Sequence, residues 1–499
     1  MYLLGFDIGS SSVKAALVHV SKGTITVQKS PEVEMEIISS ESGWAEQDPK
    51  IWWQNLKKAT QSVLKESQIS PADISAIGIS YQMHGLVMVD NNKDLIRNSI
   101  IWCDSRAVAY GAQAFKSIGE EYCLSNWLNS PGNFTASKLM WVKENEPEIF
   151  EKCYKILLPG DYINLRLTGE LQTTVTGLSE GVLWNFKNHE PAYQLLEHYG
   201  FDKSLLADIV ENFSVQARLG ESAAAELNLK ANIPICYRAG DQANNAMSLG
   251  VSLPGEVAAT GGTSGVIYGI LDEFSYDQLS RVNGFAHVNH SLKVPRIGQL
   301  LCINGAGILY AWLRRYISKG NSSYKALEIQ AQSIPVGAEG LCFIPFGNGA
   351  ERMLENRNLG AQLLGLEFNR HTDSHIYRAA LEGIAFAFFY GFKILSSLGL
   401  KSELIKVGND NLFRSKIFSQ TLANLTGSQI SVIDTTGAIG AAKGAGLGIG
   451  LYSDLEEAFG TQASILTYIP EKETENYLVA YNSWERKLEK LVDQKNICQ

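Results

Sequence analysis

The chain of 499 residues is too long for a single hydrophobic core, so we expect two or more domains. A hydrophobic share of 45% and a charged share of 19% are ordinary for a globular protein, and the formal net charge of −9 argues against nucleic acid or an anionic membrane as a partner. The seven cysteines lack the regular spacing of a disulfide framework, and no basic leader precedes the first apolar run, so we expect a cytoplasmic protein without a signal peptide.

The first predicted element is a β-hairpin at the start of the chain. Two apolar runs flank a turn that consists of Gly9, Ser10, Ser11 and Ser12. The backbone N–H groups and hydroxyls of this turn, with Lys14 just beyond it, are suited to holding phosphate oxygens. Asp7 lies inside the first run, where an ionised carboxylate is costly unless a positive group compensates it. We expect Asp7 to face, through water, the Mg²⁺ that accompanies the phosphates; the alternative is a carboxylate that caps a solvated hairpin.

The next elements are a strand region over residues 24–36 and a helix that begins after it. Asp48 is the predicted N-cap of this helix, with Pro49 at its first position.

Two further strands, residues 74–80 and 99–102, end in polar loops. Open α/β sheets bind ligands at such strand ends. These loops contain Gln82, Met83, His84, Trp102 and Asp104, which are therefore candidate ligand contacts. The alternatives are a core methionine beside a satisfied histidine, and a turn residue in the case of Asp104.

A strand over residues 233–237 leads to Asp241, the first residue ahead of a small-residue helix over residues 242–249 that includes Asn244. The N-terminal amides of such a helix attract anions, and an aspartate there can accept a proton as a general base. The alternative is an N-cap aspartate with no role in catalysis.

The chain then repeats its opening layout. Residues 257–268 place Gly262, Thr263 and Ser264 between two apolar runs, and Gly305 opens the segment 304–312. We therefore predict two similar halves, each beginning with a phosphate-sized hairpin, around a cleft. The later helices are predicted over residues 373–398, 437–450 and 473–493, the second of them rich in small residues and packed tightly on a sheet.

The two hairpins and Asp241 together resemble the FGGY carbohydrate kinases, sugar kinases of the actin-like ATPase superfamily, over nearly the whole chain. Residues 135–145, including Lys138 and Trp141, and residues 361–382 resemble the two sequence patterns of that family, and Asn133 is a minor departure from the first. Glu351-Arg352 is similar to a Glu-Arg pair of the family, although Met353-Leu354 replaces the residues that usually follow it.

The resemblance implies an α/β fold of two actin-like ATPase (ribonuclease H-like) domains around a deep interdomain cleft. Residues 1–247 would bind the sugar and supply Asp241 as the catalytic base, and residues 248–499 would bind the nucleotide. The implied co-substrate is ATP with Mg²⁺ near Asp7. The sugar contacts would be Gln82, Met83, His84, Trp102, Asp104 and Asn244. The nucleotide contacts would be Gly9, Ser10, Ser11, Ser12, Lys14, Gly262, Thr263, Ser264, Gly305, Gly408, Asn409 and Asn411.

Within the family, residues 82–85, 102–106 and 43–49 look most like the xylulokinase branch, which implies transfer of the γ-phosphate of ATP to D-xylulose. Ribulose, gluconate and deoxysugar specificities remain alternatives. Residues 408–411 depart from the family, which usually has three glycines there, and this keeps a non-catalytic sugar or nucleotide sensor as a further alternative. A homodimer is expected from the resemblance only.

Overall fold

The structure is a computed structural model that describes residues 1–320, 322–409, 412–460 and 462–497. Two mixed β-sheets organise it, one in each half of the chain, as the repeated hairpin predicts. The first sheet has the order β5-β6-β4-β1-β2-β3, with strands β1 (Tyr2–Ile8), β2 (Val13–His19), β3 (Gly23–Ser30), β4 (Ile74–Tyr81), β5 (Ala217–Arg218) and β6 (Pro234–Gly240). Strands β1, β4 and β6 run parallel, and the hairpin β1–β2 is antiparallel.

The second sheet has the same arrangement around its own hairpin. Its order is β9-β10-β8-β7-β11-β12-β13, with strands β7 (Val257–Gly261), β8 (Gly265–Leu271), β9 (Asn283–Ala286), β10 (Ile297–Ile303), β11 (Leu404–Gly408), β12 (Gln429–Ile433) and β13 (Ser464–Tyr468). The hairpin β7–β8 is antiparallel, and β7, β11 and β12 run parallel. The two hairpins therefore occupy equivalent places in equivalent sheets.

Helices cover the faces of both sheets. The helices that matter for the site are α1 (Pro49–Ser67), α2 (Thr135–Asn145), α3 (Pro159–Thr168), α4 (Val175–Glu180), α5 (Asp241–Ser248), α6 (Gly307–Trp312), α7 (Asp373–Ser397), α8 (Lys416–Thr426), α9 (Gly437–Gly448) and α10 (Glu475–Ile497). The other α-helices span Val108–Ile118, Glu120–Trp127, Pro147–Phe150, Tyr193–Tyr199, Glu221–Leu227, Tyr324–Gln332 and Leu455–Phe459. Short two-stranded pieces pair Glu46–Gln47 with Ser99–Ile100, Val87–Val89 with Lys155–Leu157, Gln172–Thr174 with Asp208–Val210, Trp184–Asn185 with Glu190–Pro191, and Cys342–Ile344 with Gln362–Leu364.

Local sequence signals account for the start of α1 and for the end of β3. The Asp48 side chain accepts a hydrogen bond from the backbone N–H of Lys50, and Pro49 is the first helical residue, which confirms the predicted cap. The strand predicted over residues 24–36 is wrong beyond Ser30, where β3 ends. Pro31 follows at once, and it has no N–H group to donate to a neighbouring strand.

Helix α9 belongs to the second half of the sequence, yet it packs on the first sheet. A methyl group added to Gly5 of β1 would overlap the carbonyl oxygen of Ala438, and one added to Gly78 of β4 would overlap the carbonyl of Ala441. Backbone thus lies directly on backbone, which explains why this helix consists almost wholly of small residues. The predicted boundary between residues 247 and 248 remains a prediction.

Gly5→Ala is expected to destabilise the protein, because the new methyl group meets the backbone of Ala438 and Ala442 rather than a flexible side chain. Overpacking of this kind costs about 1–3 kcal/mol, so thermal unfolding should show a clearly lower midpoint. Gly220→Ala is the matched control: its φ is −71°, and its methyl group would meet only a carbonyl oxygen at 3.5 Å. An unchanged midpoint for Gly5→Ala would contradict the packing of α9 on the sheet.

The edge strand β9 brings the two halves into contact on the other side of the cleft. The side chain of Asn129 donates from Nδ2 to the carbonyl of Gly284 at 2.7 Å, and the N–H of Ala286 donates to the Ser179 hydroxyl at 3.0 Å. Phe285, which lies between these two β9 residues, is thereby held against the first half.

Helix α7 is long and apolar enough to cross a membrane by length and composition alone. In the part of the chain that the structure describes it is the one helix with this property, and 78% of its most apolar window is buried inside the protein. Its composition reflects a position in the core of the second half, where it packs against β8 and β10.

Candidate active site

Hydrogen bonds fix the backbone of the first turn, residues 9–12, and leave its serine side chains accessible to solvent. The N–H of Gly9 donates to the carbonyl of Ser12 at 3.0 Å, and the side chain of Gln47 donates from Nε2 to the carbonyl of Ser10 at 2.7 Å. Ser11 is exposed, and Ser10 and Ser12 are partly exposed. These three serines therefore present hydroxyl groups to the solvent side of the turn.

Asp7 lies at the base of this turn, opposite Lys14 in the register of the hairpin. The Asp7 carboxylate is 3.4 Å from the Lys14 ammonium and accepts a hydrogen bond of 3.2 Å from the Ser80 hydroxyl. A methyl group on Gly437, the first residue of α9, would lie 2.9 Å from both the Asp7 carboxyl group and the side-chain oxygen of Asn245. Asp7 and Asn245 thus offer two oxygen ligands beside the start of α9.

Asp241 is the first residue of α5, directly after β6, and is partly buried between the two halves. Burial, and next to it the negative charge of Asp7, raise the pKa of Asp241 to about 7. The charge of Asp241 also acts on Cys302 of β10, in the second sheet. A carboxylate in this position has the pKa of a good general base at neutral pH.

The predicted role of Asp241 as the catalytic base leads us to expect an acid limb with a midpoint near pH 7 in a pH profile of kcat/KM. Below that pH Asp241 is protonated and cannot accept a proton, so the rate should fall about tenfold per pH unit. The measurement is a series of initial rates from pH 5.5 to 9 with both substrates below saturation. A limb at the ordinary aspartate value near 4 would show that another group, or an unperturbed carboxylate, controls the rate.

His84 and Met83 follow β4, and the structure fixes the imidazole in one tautomer. His84 Nδ1 is 2.8 Å from the carbonyl oxygen of Glu180, which can only accept, so Nδ1 carries the proton. Burial and the nearby Lys138 ammonium lower the pKa of His84 to about 3, so the ring is neutral. Nε2 is therefore a hydrogen-bond acceptor and suits a ligand hydroxyl rather than a ligand carbonyl.

Aromatic rings from both halves surround this imidazole. The ring of Phe134 is 4.8 Å from that of His84, and Phe285 of β9 lies 5.4 Å away on another side. His84 has a φ of 62°, an uncommon left-handed conformation, and the buried Lys138 ammonium donates to its carbonyl at 2.8 Å. The lysine thus holds the strained loop in place.

Two of the predicted sugar contacts, Trp102 and Gln82, lie close to the first turn. Trp102 is 50% exposed, and its indole N–H is 3.4 Å from the Ser10 hydroxyl, so it borders the first turn. Gln82 is buried and donates from Nε2 to Gln47 at 3.2 Å, behind the same turn rather than in the cleft.

Asp104 and Asn244 are both wholly buried, and their roles as sugar contacts stay predictions. Asp104 is wholly buried, and its carboxylate accepts hydrogen bonds from the N–H groups of Ala45 and Arg106 and pairs with the Arg106 guanidinium at 2.7 Å. Asn244 is also wholly buried, and it donates from Nδ2 to the carbonyl of Gly437 at 2.9 Å. Asp104 joins Ala45 to Arg106, and the Asn244 amide nitrogen joins α5 to the start of α9, while Asn244 Oδ1 has no hydrogen-bond partner among the described residues.

The second turn repeats the exposure pattern of the first. Thr263 is exposed, Gly262 and Ser264 are partly exposed, and the N–H of Ile308 in α6 donates to the Thr263 carbonyl at 2.9 Å. A methyl group on Gly307 would overlap the carbonyl of Gly262, so the start of α6 lies against the turn.

Gly305 is a packing glycine beside this turn. A methyl group there would overlap the carbonyl of Pro345, and the N–H of Gly305 donates to the buried Glu351 carboxylate at 2.8 Å. Burial raises the pKa of Glu351 to about 7, and the two N–H groups of Asn304 and Gly305 oppose that rise. Glu351 thus shapes the loop that precedes α6.

The loop after β11, where the sequence departs from the family pattern, contacts the strand that leads into the second turn. Gly408 ends β11, and the side-chain oxygen of Asn409 accepts a hydrogen bond of 3.0 Å from Arg414. Leu412 donates from its N–H to the carbonyl of Gly261 at 3.1 Å. Asn411, a predicted nucleotide contact, lies outside the described residues, as does Asp410.

Two protein-family models match the amino-acid sequence of this chain. The FGGY family of carbohydrate kinases, N-terminal domain, matches residues 2–248, and the C-terminal domain of the same family matches residues 257–448. The chain belongs to the FGGY family. It is therefore a sugar kinase with ATP as its co-substrate, which confirms the predicted fold and enzyme class and removes the sensor alternative.

Individual FGGY relatives agree in length and fold. A xylulose kinase of Bacillus subtilis is 28% identical over 460 residues, which covers 91% of this chain and 90% of the relative. A crystal structure of a "xyloylose kinase" from Brucella ovis has 25% identity and a TM-score of 0.88 over 98% of this chain and 99% of that one. A gluconate kinase from Lactobacillus acidophilus has the same TM-score at 23% identity, over 98% of each chain, which shows the shared fold alone.

Several contacts around the candidate site could not be predicted from the sequence, even where the residue itself belongs to a family pattern. Phe285 lies about 200 positions after His84 and reaches it only because β9 is the edge strand that touches the first half. Lys138 is part of a family pattern that gives no hint of its contact with His84. Arg352 joins the halves, since it donates to the Ser280 carbonyl at 2.8 Å and lies 3.4 Å from the Ser130 hydroxyl.

Proposed function

We propose that this FGGY kinase transfers the γ-phosphate of ATP to D-xylulose and yields D-xylulose 5-phosphate. The observation that carries the proposal is the position of the Asp241 carboxylate at the start of α5, a helix that contacts β4 and β6 of the first sheet and β7 and β8 of the second. Burial and the charge of Asp7 raise the pKa of Asp241 to about 7. The relatives named xylulose kinase and the likeness of residues 82–85 and 102–106 to that branch support the choice of sugar.

In this proposal the sugar lies against His84, with Phe134 and Phe285 around the imidazole. His84 Nε2 accepts a hydrogen bond from a sugar hydroxyl, and Met83 packs against the carbon chain. The terminal hydroxyl of the sugar faces Asp241. Trp102 closes the side of the pocket that borders the first turn. Gln82, Asp104 and Asn244 do not touch the sugar in this proposal and act as positioning residues.

Asp241 accepts the proton of the terminal hydroxyl while the oxygen of that hydroxyl forms a bond to the γ-phosphorus. The bond from this phosphorus to the bridging oxygen of ADP breaks at the same time. The phosphates are held by Ser10, Ser11, Ser12 and Lys14 from one side and by Gly262, Thr263 and Ser264 from the other. Gly9, Gly305, Gly408 and Asn409 shape the loops around the nucleotide.

The residues beside Asp7 suit a magnesium ion. Within the described residues there is no group of three or more His, Cys, Asp or Glu side chains that would hold a metal by themselves. One carboxylate, the Asn245 amide oxygen and substrate phosphates are the mixture that strongly hydrated Mg²⁺ prefers. When bound there, Mg²⁺ would offset the negative charge that develops on the phosphates.

A panel of purified sugars with coupled detection of ADP tests the proposal. D-xylulose should give the highest kcat/KM, and D-ribulose, gluconate and deoxysugars should be poorer substrates. The neutral His84 favours a hydroxyl over a carboxylate at this place, since Nε2 has no proton to donate. A higher kcat/KM for gluconate would contradict the substrate assignment and leave the kinase activity intact.

The cytoplasmic location, the absence of nucleic-acid and membrane partners, and the homodimer all stay predictions.

A further inference from the structure

Glu180 is a buried acid that the proposed mechanism leaves unused. It is the last residue of α4 and only 2% exposed. A methyl group on Gly240 would overlap its carboxyl oxygen Oε2 and would lie 2.7 Å from Cγ of Met83. The Glu180 carboxyl group therefore packs on the residue that precedes Asp241, beside the methionine of the proposed sugar pocket.

The backbone of Glu180 contacts the other side of the same pocket. Its carbonyl oxygen accepts the Nδ1–H of His84 at 2.8 Å, and this contact leaves Nε2 as the free acceptor. Glu180 thus contacts both the residue that precedes Asp241 and the imidazole that would bind the sugar.

The surroundings of Glu180 favour a neutral carboxylic acid. Among the described residues, its Oε1 has no hydrogen-bond partner. The titratable groups that face Glu180 from the elements around it are Tyr81, Asp161, Asp241 and Tyr268. Burial, together with the charges of Asp241 and Asp161, raises the pKa of Glu180 well above its usual range, although the Tyr81 hydroxyl opposes this rise.

We propose that Glu180, whose carboxyl group packs on Gly240 and whose carbonyl oxygen accepts a hydrogen bond from His84, is a positioning residue for both the base and the sugar. This rests on the proposed function, because it takes Asp241 as the base and His84 as a sugar contact. A neutral acid fills the space against Gly240 without placing a second negative charge beside Asp241.

The test compares three substitutions on the best sugar of the panel. Glu180→Gln keeps the shape of the neutral acid, so its kcat, its sugar KM and the midpoint of its acid limb should stay close to those of the unaltered enzyme. Glu180→Asp keeps an acid but withdraws it from Gly240, and Glu180→Ala removes it. Both should lower kcat and raise the sugar KM, each by about tenfold or more, since small misplacements at a reacting centre can cost about 10²-fold.

Asn164→Ala is the control for loss of a buried polar side chain. Asn164 is wholly buried in α3, its amide atoms have no hydrogen-bond partner among the described residues, and its kinetics should not change. If Glu180→Ala does not fold, Glu180→Asp and Glu180→Gln still test the positioning role of Glu180.

Full activity of Glu180→Asp would overturn the positioning role. A shift of the acid limb by a pH unit in Glu180→Gln would overturn the neutral acid, because it would mean that an ionised Glu180 had been raising the pKa of Asp241. An unaltered enzyme that turns over none of the sugars would instead refute the proposed function, so the two failures are distinguishable.

Discussion

Asp241→Asn is expected to lower the sugar-dependent kcat by about 10²–10⁴-fold, the usual contribution of a positioned general base. An asparagine amide has nearly the shape of the carboxyl group but cannot accept the proton of the sugar hydroxyl. Coupled detection of ADP with the best sugar of the panel measures the loss. The sugar should still bind, since the contacts around His84 do not involve Asp241.

The stability of the same variant provides an independent check. The pKa of Asp241 is raised in the folded protein, so the folded state favours the protonated carboxyl group. The stability that this preference contributes is lost as pH rises from about 4, the ordinary pKa, to about 7, the pKa in the folded protein. Removing the charge should therefore leave the thermal midpoint at pH 8 unchanged or higher. A variant that loses activity because it unfolds would instead show a lower midpoint, and a variant with nearly normal kcat would reject Asp241 as the base.

Asp161→Asn is expected to destabilise the first half of the molecule strongly. Asp161 Oδ1 and Arg238 Nε are 2.9 Å apart, and both side chains are almost completely buried. Removing one partner of a buried pair leaves an uncompensated charge and costs about 3–5 kcal/mol. For a domain of this size, each kcal/mol lowers the thermal midpoint by about 2–4 °C, so the change should be obvious in a melting curve.

The double variant Asp161→Leu with Arg238→Met separates this cost from simple loss of packing. It removes both charges and should recover much of the lost stability, because two apolar side chains can replace a buried ion pair. Arg370→Gln serves as the exposed comparison: Arg370 is 2.8 Å from Glu339 at the surface, where an ion pair contributes about 0–1 kcal/mol. A double variant as unstable as Asp161→Asn would contradict the account.

Local sequence patterns were enough to predict the parts of the site that are continuous in the chain. The hairpin turn after Asp7, its counterpart at Gly262–Ser264 and the helix that starts at Asp241 each combine an apolar strand with a polar end, and that signal depends on neighbours in sequence. The helix cap at Asp48 was predictable for the same reason.

Contacts made across the fold were not predictable in this way. Asp104 and Asn244 have the right chemistry for a sugar, but the sequence does not reveal that Asp104 pairs with Arg106 or that the Asn244 amide nitrogen donates to the carbonyl of Gly437. Phe285 enters the site through the docking of an edge strand, and Glu180 through the packing of α4 on Gly240. The small residues of α9 predicted close packing on a sheet but not which sheet, because both halves have a sheet of the same design.

The most direct test of the central claim is a crystal structure with D-xylulose and a non-hydrolysable ATP analogue. We predict the terminal hydroxyl of the sugar within about 2.6–3.2 Å of the Asp241 carboxylate. The γ-phosphate should lie in line with that hydroxyl, between the turns at Ser10–Ser12 and Gly262–Ser264. A sugar bound away from Asp241, or phosphates held outside these turns, would contradict the account.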